Sequence, residues 1–559
     1  MERRLPLLLF STALCASTVV HGQRYVSEVF TNAEITITSD VIYGTNIDFL
    51  TSNFTSPDVP AEVMQLQSAV TNGDPIPPAF FDPQDASTAV KVANMRMDIY
   101  RPDEAIDEVN NRPLVIYLHT GNALPPPLNG SPTGTRKDSS AVEVCKRMAR
   151  RGYVAASVSY RLGWNPLAAS EEERRASLLN AIYRAIHDVR QSVRFMKDHA
   201  HEGNMYGICP DKIIVMGEGT GGYIALAHST LDDPAELFIE KFRPDPFDPT
   251  VSYVDTTVVG NLEGFNGMLT LYRPNGYDHS THFSVNMGGA LADISWLEEG
   301  DVPMVSFHTV FDPFAPFTEG IVIVPTTGGP VVPVHGSNFF MEVVNQFGNN
   351  DAFANFPDGD PFTDRARDLY GTTQTHGSTS VTINQDVEGL FPLVTPNWPD
   401  QVPGTNEEAG PWQWWDPNSP IAQTEVAPGI TAHMAASASN PNMSAAKGRA
   451  YIDTIMGYLN PRLLAALDLN AACLITGMEE ENTSIGVEIY PNPAQDRITI
   501  NASEAITRYS ILDQQGRLIA SDIANMHQIE LDRGGLSSGT YFIQLETAQG
   551  RTTRKLVLH

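Results

Sequence analysis

Between residues 113 and 309 the chain alternates two hydrophobic rhythms. PLVIYLH (113–119), YVAASVSY (153–160), KIIVMGE (212–218) and PMVSFHT (303–309) are short apolar runs rich in β-branched residues. Runs of this kind predict strands buried on both faces. Over residues 171–199, Leu179, Ile182, Ile186, Val189, Val193 and Met196 recur at steps of three and four, the apolar stripe of an amphipathic helix. Strand–helix alternation predicts an α/β class: a mostly parallel central sheet with helices on both faces. Further on, Ala450, Ile452, Ile455 and Leu459 predict a late helix that Pro461 should interrupt. Pro/Gly-rich insertions at 121–134, 243–262, 311–335 and 395–430 separate these elements, and loops of that length in an α/β domain shape a site or cover it.

The rhythm changes near the C-terminus. TGMEEENTSIG (476–486) is short, polar and acidic, and reads as a linker. From 487 to 559 apolar and polar residues alternate at period two, punctuated by Gly516, Gly534, Gly535, Gly539 and Gly550. That pattern predicts a small all-β sandwich of about seven strands. At the other end, MERRLPLLLFSTALCASTVVHG (1–22) has a basic start, an apolar stretch and a small-residue end. It reads as a secretory signal, with the mature chain starting at Gln23. The expected domains are therefore 1–22, 23–475, the linker 476–486, and 487–559.

Composition narrows the function classes. The chain has 559 residues and a net charge of −30. So acidic a surface repels nucleic acid and anionic membranes. Beyond the leader no segment is long and apolar enough to span a membrane, so an integral membrane protein is not expected. Cys145, Cys209 and Cys473 remain in the mature chain, either as one disulfide plus a buried thiol or as three buried thiols. No Cys/His spacing suggests zinc. Asp358, Asp360 and Asp364 in PDGDPFTD lack the rest of a calcium loop and read as solvated. No cofactor or metal is expected.

The candidate chemistry lies at VMGEGTGGY (215–223), where an apolar strand meets a helix through small residues. With its flanks it resembles the nucleophile turn Gly-x-Ser-x-Gly of carboxylesterase- and lipase-like α/β-hydrolases. Gly217, Glu218, Thr220 and Gly221 fit, and Gly219 stands in the serine's place. RPLVIYLHTGN (112–122) resembles the HGGG segment of that family, which implies an oxyanion hole from the backbone of Gly121, Asn122 and Thr220. GYVAASVSYRLGWN (152–165) resembles the following strand, and DVPMVSFHTVFDPFAPF (301–317) resembles the strand ending in the triad acid, which places that acid at Asp312. For the base the resemblance leaves three candidates: His376 first, then His433 and His335. Residues 487–559, with IYPNPAQDRITI, ILDQQGRLI, LSSGTYFIQL and RKLVLH, resemble the type A sorting domain of the Bacteroidetes type IX secretion system. That implies export through the periplasm and outer membrane by the secretion machinery, to the cell surface or the medium.

The resemblances together imply a secreted α/β-hydrolase-fold protein, esterase-like but without its nucleophile: a pseudoenzyme with a binding or structural role toward a small or polymeric ester-like ligand. A working ester hydrolase with a displaced nucleophile is the first alternative. The second is a glycan-binding adhesin using Trp412, Trp414 and Trp415 of PWQWWDP (411–417) as stacking rings.

Overall fold

A computed structural model describes residues 24–559 apart from 325–327, 355, 357–358, 396–407, 470–486, 493, 496, 513–517, 535, 548–549 and 559. The leader, the linker, Asp358 and Cys473 lie outside the described residues. The chain divides into two compact units, Met1–Cys473 and Leu474–His559.

The strands of the first unit are β1 (Ile35–Ile47), β2 (Val92–Pro102), β3 (Arg112–Leu118), β4 (Val154–Val158), β5 (Ile208–Glu218), β6 (Phe283–Met287), β7 (Met304–Thr309), β8 (Glu319–Ile323), β9 (Pro330–His335), β10 (Thr373–His376), β11 (Thr379–Thr382), β12 (Leu390–Leu393), β13 (Glu425–Ala427) and β14 (Ile430–Thr431). Eight of them form one sheet in the order β1-β2-β4-β3-β5-β6-β7-β12, and β8–β9, β10–β11 and β13–β14 are separate pairs. β1 and β2 run antiparallel at one edge, and every pair from β4 to β12 is parallel. The helices are α1 (Val59–Asn72), α2 (Ser139–Arg150), α3 (Glu171–His201), α4 (Thr220–Thr230), α5 (Thr256–Val259), α6 (Ser337–Gln346), α7 (Pro361–Arg367), α8 (Ala432–Ala438) and α9 (Ala445–Leu467).

The apolar runs make central strands because both sheet faces are covered. In β3, Leu114, Ile116 and Leu118 join a core with Val189 and Val193 of α3, Ile224 of α4 and Phe340 of α6. The alternate residues Val115 and Tyr117 join the opposite core, with Val144 and Met148 of α2 and Ile452 and Ile455 of α9. α4 sits unusually close to the sheet. A Cβ on Gly217 would enter the carbonyl of Gly221, and one on Gly221 would enter the carbonyl of Leu118. A buried ion pair pins the chain after β4 to α3. Arg161 Nε lies 2.9 Å from Asp188 Oδ1, and both side chains are sealed from solvent. Asp188 also accepts from the Arg161 N–H at 2.7 Å and from the Tyr272 hydroxyl at 2.7 Å.

Three expectations change. Pro461 lies inside α9 and does not interrupt it. The fully buried Arg462 beside it carries the helix onward, reaching Glu388 at 2.5 Å and Thr363 at 3.1 Å. Three buried thiols are also ruled out: Cys145 is free and buried, whereas Cys209 is in a disulfide whose partner lies outside the described residues. Among the described residues the tail has fewer, longer strands than expected. Its described strands are β15 (Val487–Tyr490), β16 (Arg497–Leu512), β17 (Leu518–Asp532), β18 (Gly539–Thr547) and β19 (Gly550–Leu558), paired antiparallel. Residues 497–512 form one long strand whose antiparallel pairing with β17 carries register shifts.

The segment 408–440 covers the C-terminal ends of the parallel strands, and Trp412 anchors it. The buried indole donates to Glu218 Oε2 at 2.7 Å, and Ser140 donates to Oε1 at 3.0 Å. Burial, helped by the charge of Asp138, pushes the Glu218 carboxyl up to about 7. The native state therefore holds a proton that the unfolded chain releases from about 4.5 upward. The stability this supplies is complete below that value and is lost as pH rises through 7. We expect Glu218→Gln to remove a fall in unfolding free energy on the order of 3 kcal/mol between pH 4.5 and 7, measured by urea denaturation of the full chain at several pH values. Asp188→Ala leaves Arg161 buried and unpaired, and should cost about 3–5 kcal/mol in the same assay at pH 7.

Candidate functional site

β5 ends at Glu218 and α4 begins at Thr220, so Gly219 alone makes the turn. Its φ of +52° and ψ of −117° lie where L side chains are strained, and glycine adopts them without that penalty. The Gly219 N–H donates to the Met287 carbonyl at 2.8 Å, tying the apex to the end of β6. A Cβ on residue 219 would collide with the Thr120 hydroxyl and lie 3.2 Å from Thr120 Cβ. Thr120 follows β3, and no group among the described residues hydrogen-bonds its hydroxyl.

The backbone groups expected to form an anion-stabilising hole are only partly available. The Asn122 N–H donates to the Thr220 hydroxyl at 2.7 Å, so it is already taken. The Asn122 carbonyl accepts from Trp164 Nε1 at 2.7 Å, while Asn122 Nδ2 is buried without a partner among the described residues. Gly121, at φ +123°, lies against Gly134. The Thr220 N–H, in the first turn of α4, has no acceptor within its helix.

Asp312 lies in the loop after β7, with its side chain only 3% exposed. One carboxylate oxygen accepts from the N–H groups of Phe314 at 2.8 Å and Ala315 at 2.9 Å, which fixes the loop's own turn. The other lies 4.0 Å from Nε2 of His308. His308 was not singled out from the sequence, although it stands in the apolar run PMVSFHT four residues before Asp312. It is wholly enclosed in β7, with Nδ1 at 2.7 Å from the Ser337 hydroxyl and Nε2 at 3.1 Å from the Ala315 carbonyl. Burial lowers it to about 4, so the ring is neutral. The three histidines expected from the sequence have these contacts. His376, at the end of β10, packs its ring 5.5 Å from that of Phe311. His433, on α8, accepts from Trp415 Nε1 at 3.1 Å. His335 stacks on Phe339 at 5.3 Å.

Above the turn is a cleft of about 410 Å³. Thr120, Asn122, Gly219, Thr220 and Tyr223 form its floor, and Asp312 stands at one side. Its walls are largely apolar, from Phe314, Val322, Ile323, Trp412 and Trp415. Among the described lining residues Asp312 is the one charged side chain, and no histidine, lysine or arginine is present. The Tyr223 hydroxyl is buried without a partner among the described residues. Burial first, then the charge of Asp312, raises its pKa, so it keeps its proton. The tryptophans do not form an exposed row. Trp412 and Trp415 are buried in the cleft wall, whereas Trp414 packs on α9 against Gly448, with the Arg449 guanidinium 5.3 Å from its ring. Asp360 caps α7 through the Thr363 N–H at 2.8 Å. Among the described residues no group of three or more His, Cys, Asp or Glu is placed to hold a metal.

Comparison with known proteins bears on both units. Residues 97–319 match the BD-FAE family, and residues 488–559 match the secretion system C-terminal sorting domain. No curated protein sequence matches the chain. Similar solved structures include Thermogutta terrifontis esterase 2 phosphonylated by cyclosarin, at 17% identity and a TM-score of 0.26, covering 40% of this chain and 69% of that one. The propionate-bound esterase from the same planctomycete has 15% identity and a TM-score of 0.26, covering 40% and 70%. No helix among the described residues is long and apolar enough to cross a membrane. The chain therefore joins an esterase-like α/β-hydrolase domain of the BD-FAE family to a type IX sorting domain, which sends it to the cell surface or beyond.

Proposed function

We propose that the BD-FAE domain is a pseudoenzyme, a degenerate hydrolase that binds a ligand in the cleft at the turn without turning over carboxylic esters. In this reading Gly219 occupies the nucleophile's position. Residues 1–22 are a removed leader, 23–475 the binding body, 476–486 a linker and 487–559 the export tail. One observation carries the reading: the apex has no side chain, and no described residue lining the cleft is a histidine.

Acyl transfer on this fold needs a hydroxyl at the apex and a base within about 2.6–3.2 Å of it. Removing the serine of a working triad costs on the order of a millionfold in turnover. Here the Asp312 carboxylate holds its own loop, and the histidine nearest to it, His308, is enclosed beneath it and neutral. Thr220 is a poor replacement nucleophile because its hydroxyl already accepts from Asn122. The glycan-binding alternative loses its basis with Trp414 packed on α9.

The test is an ester-hydrolysis panel of short and medium acyl p-nitrophenyl esters on the full chain, with a serine-reactive phosphonate as covalent probe. The native chain should give no turnover above background and no adduct by mass spectrometry. Gly219→Ser should also stay inert, because the new side chain meets Thr120 and finds no base. Adding Thr120→Gly relieves the collision and should still leave turnover at background. Turnover or a covalent adduct on the native chain would overturn the proposal.

A further inference from the structure

The segment 408–440 that covers the cleft is cross-linked within itself. The Ala409 N–H donates to the Ser439 carbonyl at 2.9 Å, Asn440 Nδ2 to the Gln413 carbonyl at 3.0 Å, and Trp415 Nε1 to His433 Nδ1 at 3.1 Å. At its start Glu408 is fastened to Lys447 of α9 at 3.1 Å and to Thr309 of β7 at 2.5 Å. Its hold on the strand–helix turn is the bond from the Trp412 indole to Glu218 Oε2 at 2.7 Å. Glu218 is wholly buried. The titratable groups that face it are Asp138 ahead of α2, Cys145 of α2, Tyr117 of β3 and Tyr160 after β4. His119 stacks on Tyr160 at 4.5 Å and is neutral, its pKa brought down to about 4 by burial. On the β6 side the residue paired with Glu218 is Met287. This set holds a second carboxyl and no lysine or arginine.

We propose that the Trp412–Glu218 bond is a proton-operated latch on the cleft cover, closed while Glu218 holds its proton and loosened when it ionises. The proposal concerns access to the cleft and stands apart from whether the cleft turns over an ester. An ionised Glu218 is a buried charge with no positive partner in its surroundings, and it is stabilised by water. β3 and α2 cannot move aside to admit water, because Val115, Tyr117, Val144 and Met148 are packed together in the core. The cover is a loop segment, and lifting it hydrates the carboxylate at a smaller cost than unfolding. With the cover closed, burial holds the Glu218 pKa at about 7, against 4.5 for a hydrated carboxyl. The closed state therefore keeps a proton that the open state sheds, so closure is strongest below 4.5 and weakens as pH rises through 7. Trp412 is also part of the cleft wall, so loosening it opens the cleft and removes surface that would hold a ligand. A ligand is thus held longer in acid than in neutral medium.

The experiment is amide hydrogen exchange of the full chain at about pH 5 and pH 7.5, each rate divided by the intrinsic rate at that pH. Peptides from the cover around Trp412 are read against peptides from α3, which report unfolding of the whole unit. The native cover should exchange faster than α3 at both pH values, and its opening should rise about tenfold or more between them, as a pKa of 7 in the closed state and 4.5 in the open one requires. Glu218→Gln keeps an acceptor for the indole and cannot ionise, so its cover should open alike at both pH values. Trp412→Phe keeps a ring and removes the donor, and its cover should open about two- to tenfold more than the native one near pH 5, the loss of one hydrogen bond. A native cover that ignores pH, or that exchanges no faster than α3, would overturn the latch. The same pH response in Glu218→Gln would also overturn it, placing the titration on another group such as His433 within the cover. A Trp412→Phe cover no more open than the native one would overturn the role of the indole. The pseudoenzyme reading fails separately, by ester turnover in the native chain.

Discussion

The close seat of α4 on the sheet is the constraint on which the rest of the site depends. Gly217 and Gly221 meet backbone to backbone, and Gly221 rests on the Leu118 carbonyl of the neighbouring strand. Side chains at either place would lift the helix off β3 and β5. With the helix held there, the chain must turn from strand to helix in one residue, which fixes the left-handed conformation of Gly219. The position of α4 then sets the Thr220 N–H, the Tyr223 ring and the cleft floor. On the same face of the sheet the buried Arg161–Asp188 pair joins the chain after β4 to α3.

The first part of this arrangement was legible in the sequence because it is periodic or glycine-dependent. Unbroken apolar runs located β3, β4, β5 and β7, and the stripe from Leu179 to Met196 located α3. The glycines of VMGEGTGGY located the turn, since only close backbone contact accounts for so many together. β6 did not stand out as a central strand because FSVNM alternates apolar and polar residues although both of its faces are buried. Pro461 misled because its local preference is overridden by the buried partners of Arg462. In the tail, period two marked strands but not where they end, since a bulge continues one strand through an apparent break.

The site was less legible than the fold. Which histidine lies near Asp312 depends on tertiary packing, and His308 hid inside a strand that read as purely apolar. The contact between Thr120 and the turn joins positions ninety-nine residues apart, and nothing in the spacing announces it. The tryptophans show the same limit. PWQWWDP predicts a cluster of rings, but only the fold divides them between the cleft wall and α9. The cleft also departs from the molecule's average: a chain of net charge −30 encloses a nearly uncharged cavity. Its acidity therefore sits elsewhere, where it serves solubility and repulsion more than recognition.

The contact between Thr120 and the empty side-chain position at 219 also bears on how such a site can change over generations. The two positions are coupled: each restricts which residue the other can accept, so their substitutions are epistatic. A serine arriving first at 219 meets an occupied volume. A glycine arriving first at 120 removes a hydroxyl from the cleft floor and supplies nothing in its place. A side chain can be seated at 219 only if the Thr120 hydroxyl turns away or the residue at 120 changes with it.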